Sequence, residues 1–372
     1  METAFLYGST VSNKSFIDRE NDYKKLYSNL TSGINTMLIS PRRWGKSSLV
    51  EKVINDIDTK QYKTVVIDLF SVSDEAEFLE KFAQEIIKAS SNKFEDWIKN
   101  TRIFFKNIVP KISLGLDPFT DFSISFELSE LTKHKDEILN LAEAIANKKN
   151  INFIIALDEF QNIANFNNFE NLEKKMRAVW QRQKKVTYCM FGSKRHVMLD
   201  IFNNPSKPFY RFGDIMLLQK IETKHWVKFI MKSFSETKKS ISKENTTHIV
   251  NLMQNHSWYV QQLSHYTWNK TTNKASVEII NLALEELINA NTPLFQKEVE
   301  AISTTQLHLL KAILKQETKY TSASVMQKYK LGTPRNVSKN LKILQQKDII
   351  DYNENKYSFL DPVFEIWFKK LF

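Results

Sequence analysis

Five apolar runs of strand length, each bounded by polar or turn residues, mark the chain: Thr36–Ser40, Thr64–Phe70, Asn152–Leu157, Val186–Phe191 and Asp214–Ile221. Between them the apolar residues fall at helical spacing in Ser47–Ile57, Glu75–Ser90, Lys135–Ala146 and Phe169–Arg182. Strands alternating with helices predict an α/β fold, a mostly parallel sheet with helices on both faces. Residues 103–128 break the alternation. There Lys111-Ile112-Ser113-Leu114-Gly115-Leu116 and Phe122-Ser123-Ile124-Ser125-Phe126 alternate strictly around Asp117-Pro118-Phe119-Thr120-Asp121, which predicts a hairpin-like insertion.

From Thr223 to about Ile302 the pattern is helical throughout, with Trp226, Phe229, Ile230 and Phe234, then Ile249, Leu252 and Met253, at helical spacing. Beyond it, Thr304–Lys315 carries Leu307, Leu310, Ile313 and Leu314, and a second helix spans about Ser322–Leu331. A turn at Gly332 leads to Thr333 as a cap and Pro334 at the first position of a third helix. On that helix Val337, Leu341 and Leu344 share one face, while Arg335, Lys339 and Lys342 lie nearly opposite. Ile349–Tyr352 and Lys356–Phe359, separated by Asn353-Glu354-Asn355, predict a two-stranded wing. Three helices and a wing make a winged helix, whose third helix suits a DNA major groove. The division expected is a P-loop domain at 1–222, a helical lid at 223–302 and a winged helix at 303–372.

The chemistry lies in two of the loops. Strand Thr36–Ser40 runs into Ser40-Pro41-Arg42-Arg43-Trp44-Gly45-Lys46-Ser47-Ser48 ahead of a helix, the placement of a Walker A loop. Pro41 through Ser48 are the candidate nucleotide-binding residues. Gly45 lets the backbone approach phosphate, amides at the helix start face it, Lys46 reaches the β- and γ-phosphates, and Ser47 ligates Mg²⁺. Ser40 stands where the motif has its first glycine. The strand Asn152–Leu157 ends in Asp158-Glu159, a Walker B arrangement in which Asp158 holds magnesium and Glu159 polarises the attacking water. The bland alternative is a helix cap at Asp158. Ser193, at the tip of the next strand, is the candidate γ-phosphate sensor, against the alternative of a plain turn. Arg211, before the fifth strand, is the candidate for stabilising transition-state charge, against the alternative of a solvated surface group.

These residues resemble the archaeal-type ATPases of the STAND branch of AAA-like proteins, found in prokaryotes. Phe16-Ile17-Asp18-Arg19-Glu20, with Leu26, is similar to the family's opening motif. Pro41-Arg42-Arg43 is similar to its Walker A form, and Asp158-Glu159-Phe160-Gln161 to its Walker B form. The resemblance covers nearly the whole chain. It implies a sheet in the order five-one-four-three-two, a nucleotide held between sheet and lid, a C-terminal winged helix, and ATP as a conformational switch. The family's Gly-x-Pro near adenine appears here as His256-Ser257-Trp258, and Trp258 either stacks on a base or packs in the core.

Composition narrows the class further. A chain of 372 residues suggests two or three domains, and a single cysteine, Cys189, excludes an internal disulfide framework. Met1–Phe5 has no signal-peptide pattern and no run approaches a membrane span, so the expected compartment is the cytoplasm, with no membrane partner. Net charge is +11, and residues 303–372 hold twelve Lys and Arg against six Asp and Glu, which suits contact with nucleic-acid phosphates. The principal expectation is a Mg²⁺-dependent ATPase, slow or partner-stimulated, that works as a nucleotide-driven switch with an unidentified protein partner or in a homo-oligomer. The alternatives are a double-stranded-DNA-binding regulator that uses the P-loop domain as a sensor or oligomerisation unit, and a protein-interaction scaffold. Arg335, Lys339 and Lys342 are the candidate DNA contacts.

Overall fold

The structure is a computed structural model and describes residues 5, 7–8, 17, 19–90, 103–105, 107, 110–113, 123–353 and 355–372. The chain divides into two compact units, one of residues 19–219 and one of residues 1–18 with 220–372.

The first unit is built on a five-stranded parallel sheet. Its strands are Thr36–Ile39, Tyr62–Asp68, Asn152–Asp158, Val186–Gly192 and Asp214–Leu217. Numbered along the chain, they lie in the order five-one-four-three-two, as the resemblance implies. The third and fourth strands sit inside the sheet and are apolar on both faces, which is what burial under two helical layers requires. The second strand is an edge: Val65 and Ile67 are buried while Val66 between them is exposed. It starts at Tyr62, two residues before its apolar run, because backbone pairing with Asn152 does not depend on side-chain polarity. The fifth strand stops at Leu217, four residues short of its apolar run. Its partner, the first strand, ends at Ile39 and turns into the phosphate loop, so beyond Leu218 there is no ladder to continue.

The predicted helix Lys135–Ala146 is two helices, Leu128–Leu139 and Leu141–Lys149, broken at Asn140. Ile138, Leu139, Leu141, Ala142, Ile145 and Ala146 are all buried on the two sides of the break, at spacings that a single helical stripe would also give. In the insertion, Lys111–Ser113 pairs antiparallel with Ser123–Ser125, and Ile124 and Phe126 are buried in the core of this unit. The expected turn, Asp117–Asp121, lies outside the described residues, as do Phe16 and Asp18 of the opening motif.

The second unit holds helices Thr223–Glu236, Lys243–Leu252, Ser257–Lys270 and Val277–Glu300. It also contains a two-residue parallel bridge, Ser240–Ile241 with Lys274–Ala275, in a region expected to be wholly helical. The winged helix follows: Thr304–Leu314, Ala323–Tyr329 and Pro334–Gln346, then strands Ile350–Asn353 and Lys356–Phe359 paired antiparallel. Thr333 caps the third helix by accepting from the Asn336 amide. A last helix, Pro362–Leu371, is capped by Asp361 and packs on Val277–Glu300, with Phe295 set 5.3 Å from Phe364 and 5.5 Å from Trp367. The four helices and the winged helix therefore share one apolar core.

Candidate functional site

Parallel strands all end on one edge of a sheet, and in the first unit that edge collects the polar residues. The loop after the first strand is drawn against the fourth by the Ser40 amide, which donates to the Gly192 carbonyl at 3.4 Å. Two residues of this loop take the left-handed backbone, Arg43 at φ 66° and Gly45 at φ 91°. Ser40 does not: it is fully buried and its hydroxyl donates to the Pro41 carbonyl at 3.1 Å. Nothing in the fold requires glycine at position 40, which accounts for the departure from the usual motif. Arg19 braces the loop from below, its guanidinium donating to the Trp44 carbonyl at 3.0 Å and the Gln219 carbonyl at 2.6 Å. Pro41 and Trp44 are buried, Arg42 and Arg43 exposed, and Ser48 lies half-buried in the first turn of the helix Lys46–Asp56.

Lys46 is buried and points across the loop at the two acids, 3.6 Å from Glu159 Oε1 and 3.9 Å from Asp158 Oδ1. The Ser47 hydroxyl donates to Asp158 Oδ2 at 3.3 Å. Glu159 sits just past the strand end with φ 49°, an uncommon conformation for a residue with a side chain. Its Oε2 accepts from the Ser193 hydroxyl at 2.9 Å and from the Gln161 side-chain amide. Ser193 in turn accepts from Arg42 Nε at 3.5 Å. Lys46, Ser47, Asp158, Glu159, Ser193 and Arg42 thus converge from three loops.

The two adjacent acids titrate differently. Burial pushes the Asp158 carboxyl up to about 6; Lys46 and the Glu159 amide oppose that rise, while the carboxylates of Glu159 and Asp68 add to it. Burial is also the largest single influence on Glu159, and it acts upward. Lys46, the hydrogen bonds from Gln161 and Ser193, and Arg42 together outweigh it, so Glu159 is held below its ordinary value. A carboxylate held ionised beside a lysine and a hydroxyl is competent to accept a proton. The Ser47 hydroxyl and Asp158 carboxylate form a pair of hard oxygen donors, the type and number that Mg²⁺ takes from protein when phosphates and waters complete its shell.

Arg211 is not brought to this cluster. It precedes the fifth strand, at the edge where the strands begin, its backbone is left-handed at φ 53°, and its guanidinium lies over Tyr210. Trp258, in the second unit, packs edge-on to Tyr7 and donates to Gln262. Arg335, Lys339 and Lys342 are exposed on the face of their helix opposite the buried Val337, Leu341 and Leu344. Two participants were not assigned a role from sequence. Asp68 ends the second strand in register with Asp158, and an acid closing an apolar strand was its only signal. Gln161 follows Glu159 by two residues, too short a separation to reveal that its amide returns to the carboxylate.

Residues 16–263, well over half of the chain, match the family model of the ATPase domain predominantly from Archaea. The chain belongs to this family. Residues 293–370 match a probable winged helix domain. No curated protein matches the chain. Among solved structures, a Walker-type ATPase of Pyrococcus abyssi superposes with a TM-score of 0.70 at 18% identity, covering 98% of this chain and 99% of that one. The Aeropyrum pernix ORC2 protein, in ADPNP–ADP complexes, gives 0.57 at 14% identity, covering 99% of both chains. At such identities the likeness speaks for the P-loop fold. Among the described residues, no helix is long and apolar enough to cross a membrane.

Proposed function

We propose that this family member binds ATP with Mg²⁺, hydrolyses it, and acts as a nucleotide-driven switch whose turnover stays slow until a partner engages it. The convergence of Lys46, Asp158, Glu159 and Ser193 carries the reading. Lys46 binds the β- and γ-phosphates, leaving the two acids as it does so, and amides at the start of Lys46–Asp56 receive phosphate oxygens. Ser47 and Asp158 would hold Mg²⁺, which supplies charge neutralisation on the phosphates. Glu159 orients the attacking water and takes its proton, and Ser193 reports the γ-phosphate to it. Arg211, at the opposite edge of the sheet, could reach a nucleotide only in a neighbouring copy of a homo-oligomer. In functional terms residues 1–222 form the nucleotide part, 223–302 the lid and 303–372 the winged helix.

The test is ATP binding and steady-state hydrolysis by wild type, Lys46→Ala and Glu159→Gln. Lys46→Ala is expected to lose binding, and Glu159→Gln to bind ATP while turnover falls roughly 10²- to 10⁴-fold. Equal affinity and turnover in all three would sink the proposal.

A second reading is favoured by the exposed face of Arg335, Lys339 and Lys342, which suits duplex DNA. Adding duplex DNA to the same assay tests it: DNA that neither binds nor changes turnover removes it, leaving the winged helix as a protein-docking module.

A further inference from the structure

We infer that Gln161 is a positioning residue for hydrolysis, which selects the oxygen of Glu159 that acts on water, and that Gly192 is the seat that lets it do so. The inference rests on the reading of Glu159 as the base.

The geometry is specific. Gln161 is 3% exposed, held in the short helical segment Phe160–Asn165 that follows the third strand. That segment is anchored to the end of the second strand by Asn162, whose amide donates to the Leu69 carbonyl at 3.3 Å. From there the Gln161 side chain turns back, and its amide nitrogen donates to Glu159 Oε2, the oxygen that also accepts from Ser193. Oε2 is thereby committed to two neutral donors. Oε1 faces Lys46, at 3.6 Å. When triphosphate draws Lys46 away, Oε1 is the oxygen left to accept a proton. A carboxylate gripped by one oxygen cannot rotate freely about its last bond, so the other oxygen keeps its direction.

The seat is equally specific. A Cβ on residue 192 would lie 2.0 Å from Gln161 Oε1 and 3.2 Å from its Cδ. Gly192 closes the fourth strand, and its backbone is not in the left-handed region, so neither turn nor strain requires glycine there. What requires it is the space filled by the Gln161 side-chain amide and, at 2.9 Å from such a Cβ, by Met198 Sδ. Because both obstructed atoms belong to flexible side chains and the Gln161 oxygen is the closer, an alanine at 192 would push that amide aside, with a smaller shift of Met198, while leaving the strand in place.

The experiment uses the full chain with ATP and Mg²⁺, measuring kcat, KM and ATP dissociation constant. Single-turnover reactions with radiolabelled ATP make slow rates accessible. The variants are Gln161→Ala, the near-isosteric Gln161→Met, which keeps the bulk but removes the donor, and Gly192→Ala. Each is expected to lower kcat roughly 10- to 100-fold, the cost of a misdirected catalytic group, with KM and ATP affinity held within about 3-fold. Introduced into Glu159→Gln, none should lower the rate further, because residues that act as one unit are not additive. Wild-type kcat in both Gln161→Met and Gly192→Ala, with Glu159→Gln inactive, would overturn the inference and leave the base assignment standing. A rise in KM alone, a faster kcat, or full additivity with Glu159→Gln would overturn it as well. Full activity of Glu159→Gln itself would instead remove the base assignment, and the inference with it.

Discussion

Glu173 carries a carboxyl that this fold does not want ionised. It lies on the helix Phe169–Trp180, its side chain is 0% exposed, and neither oxygen closes a full hydrogen bond, although Lys207 and the Phe209 amide face it. Burial, the largest influence, pushes it up to about 7 from an ordinary 4.5; Lys207 and the Phe209 amide oppose the rise, while Asp200 and Glu170 add to it. The sign follows from linkage. Below the ordinary value both folded and unfolded states are protonated, and the group is neutral in its effect. Between that value and about 7 the unfolded chain releases the proton while the folded chain retains it, so stability falls as pH rises. Above about 7 the loss is complete. At 1.36 kcal/mol per pH unit, the interval from 4.5 to about 7 bounds that loss at about 3 kcal/mol. Glu173→Gln mimics the protonated acid. In unfolding at pH 5 it is expected to match wild type within about 1 kcal/mol, and at pH 8.5 to exceed it by about 2 to 3 kcal/mol. For a unit of this size that is a Tm gain of roughly 5–10 °C, appearing only at the higher pH. A difference between the two proteins that stays constant from pH 5 to 8.5 would show that Glu173 ionises freely in the folded protein, and the argument would be wrong.

Other perturbations have equally defined outcomes. Arg19→Ala removes two charged hydrogen bonds to backbone carbonyls beneath the phosphate loop, each worth about 1.5–3 kcal/mol, and should lower both thermal stability and ATP affinity. Unchanged ATP affinity in calorimetry would deny the loop its brace. Phe295→Ala should cost about 3–5 kcal/mol in urea unfolding, since its ring meets both Phe364 and Trp367; a loss under 1 kcal/mol would contradict a shared core. If the winged helix binds duplex DNA, replacing Arg335, Lys339 and Lys342 with glutamine should flatten the slope of log K against log salt by about 2.7. An unchanged slope would place the DNA elsewhere.

Much of the phosphate site was legible because its signals are local. A glycine before Lys46 and an acid pair after an apolar strand need no tertiary knowledge, and the alternation of strands and helices brought the parallel sheet with it. The strand order was not in the periodicity; it entered through the family resemblance. What stayed hidden depends on contacts distant in sequence. The break at Asn140 leaves no trace in the pattern, because Ile138, Leu139, Leu141, Ala142, Ile145 and Ala146 fit one helical stripe. Helix Pro362–Leu371 carries its start signals, Asp361 and Pro362, yet its crowded apolar residues acquire a reason only beside Phe295. Arg211 has the right residue type for transition-state work, and the parallel register places it at the wrong edge of the sheet for a site in its own chain. Gln161 and Gly192 lie thirty-one positions apart, and only the folded strand ends reveal that the Gln161 side chain rests on the glycine.

The bond between Phe295 and the closing helix also bears on how this protein can diversify. Tyr259 donates to Asp361, and Gln254 to Glu365, so residues far upstream of the winged helix hold its final element in place. A recombination breakpoint after Ile302 would separate Phe295 from Phe364 and Trp367 and leave apolar rings facing solvent on both fragments. Domain shuffling at that seam is therefore penalised. Lineages that change what the winged helix touches are expected to do so by point substitution on its exposed basic face, retaining the buried partners as an inherited block.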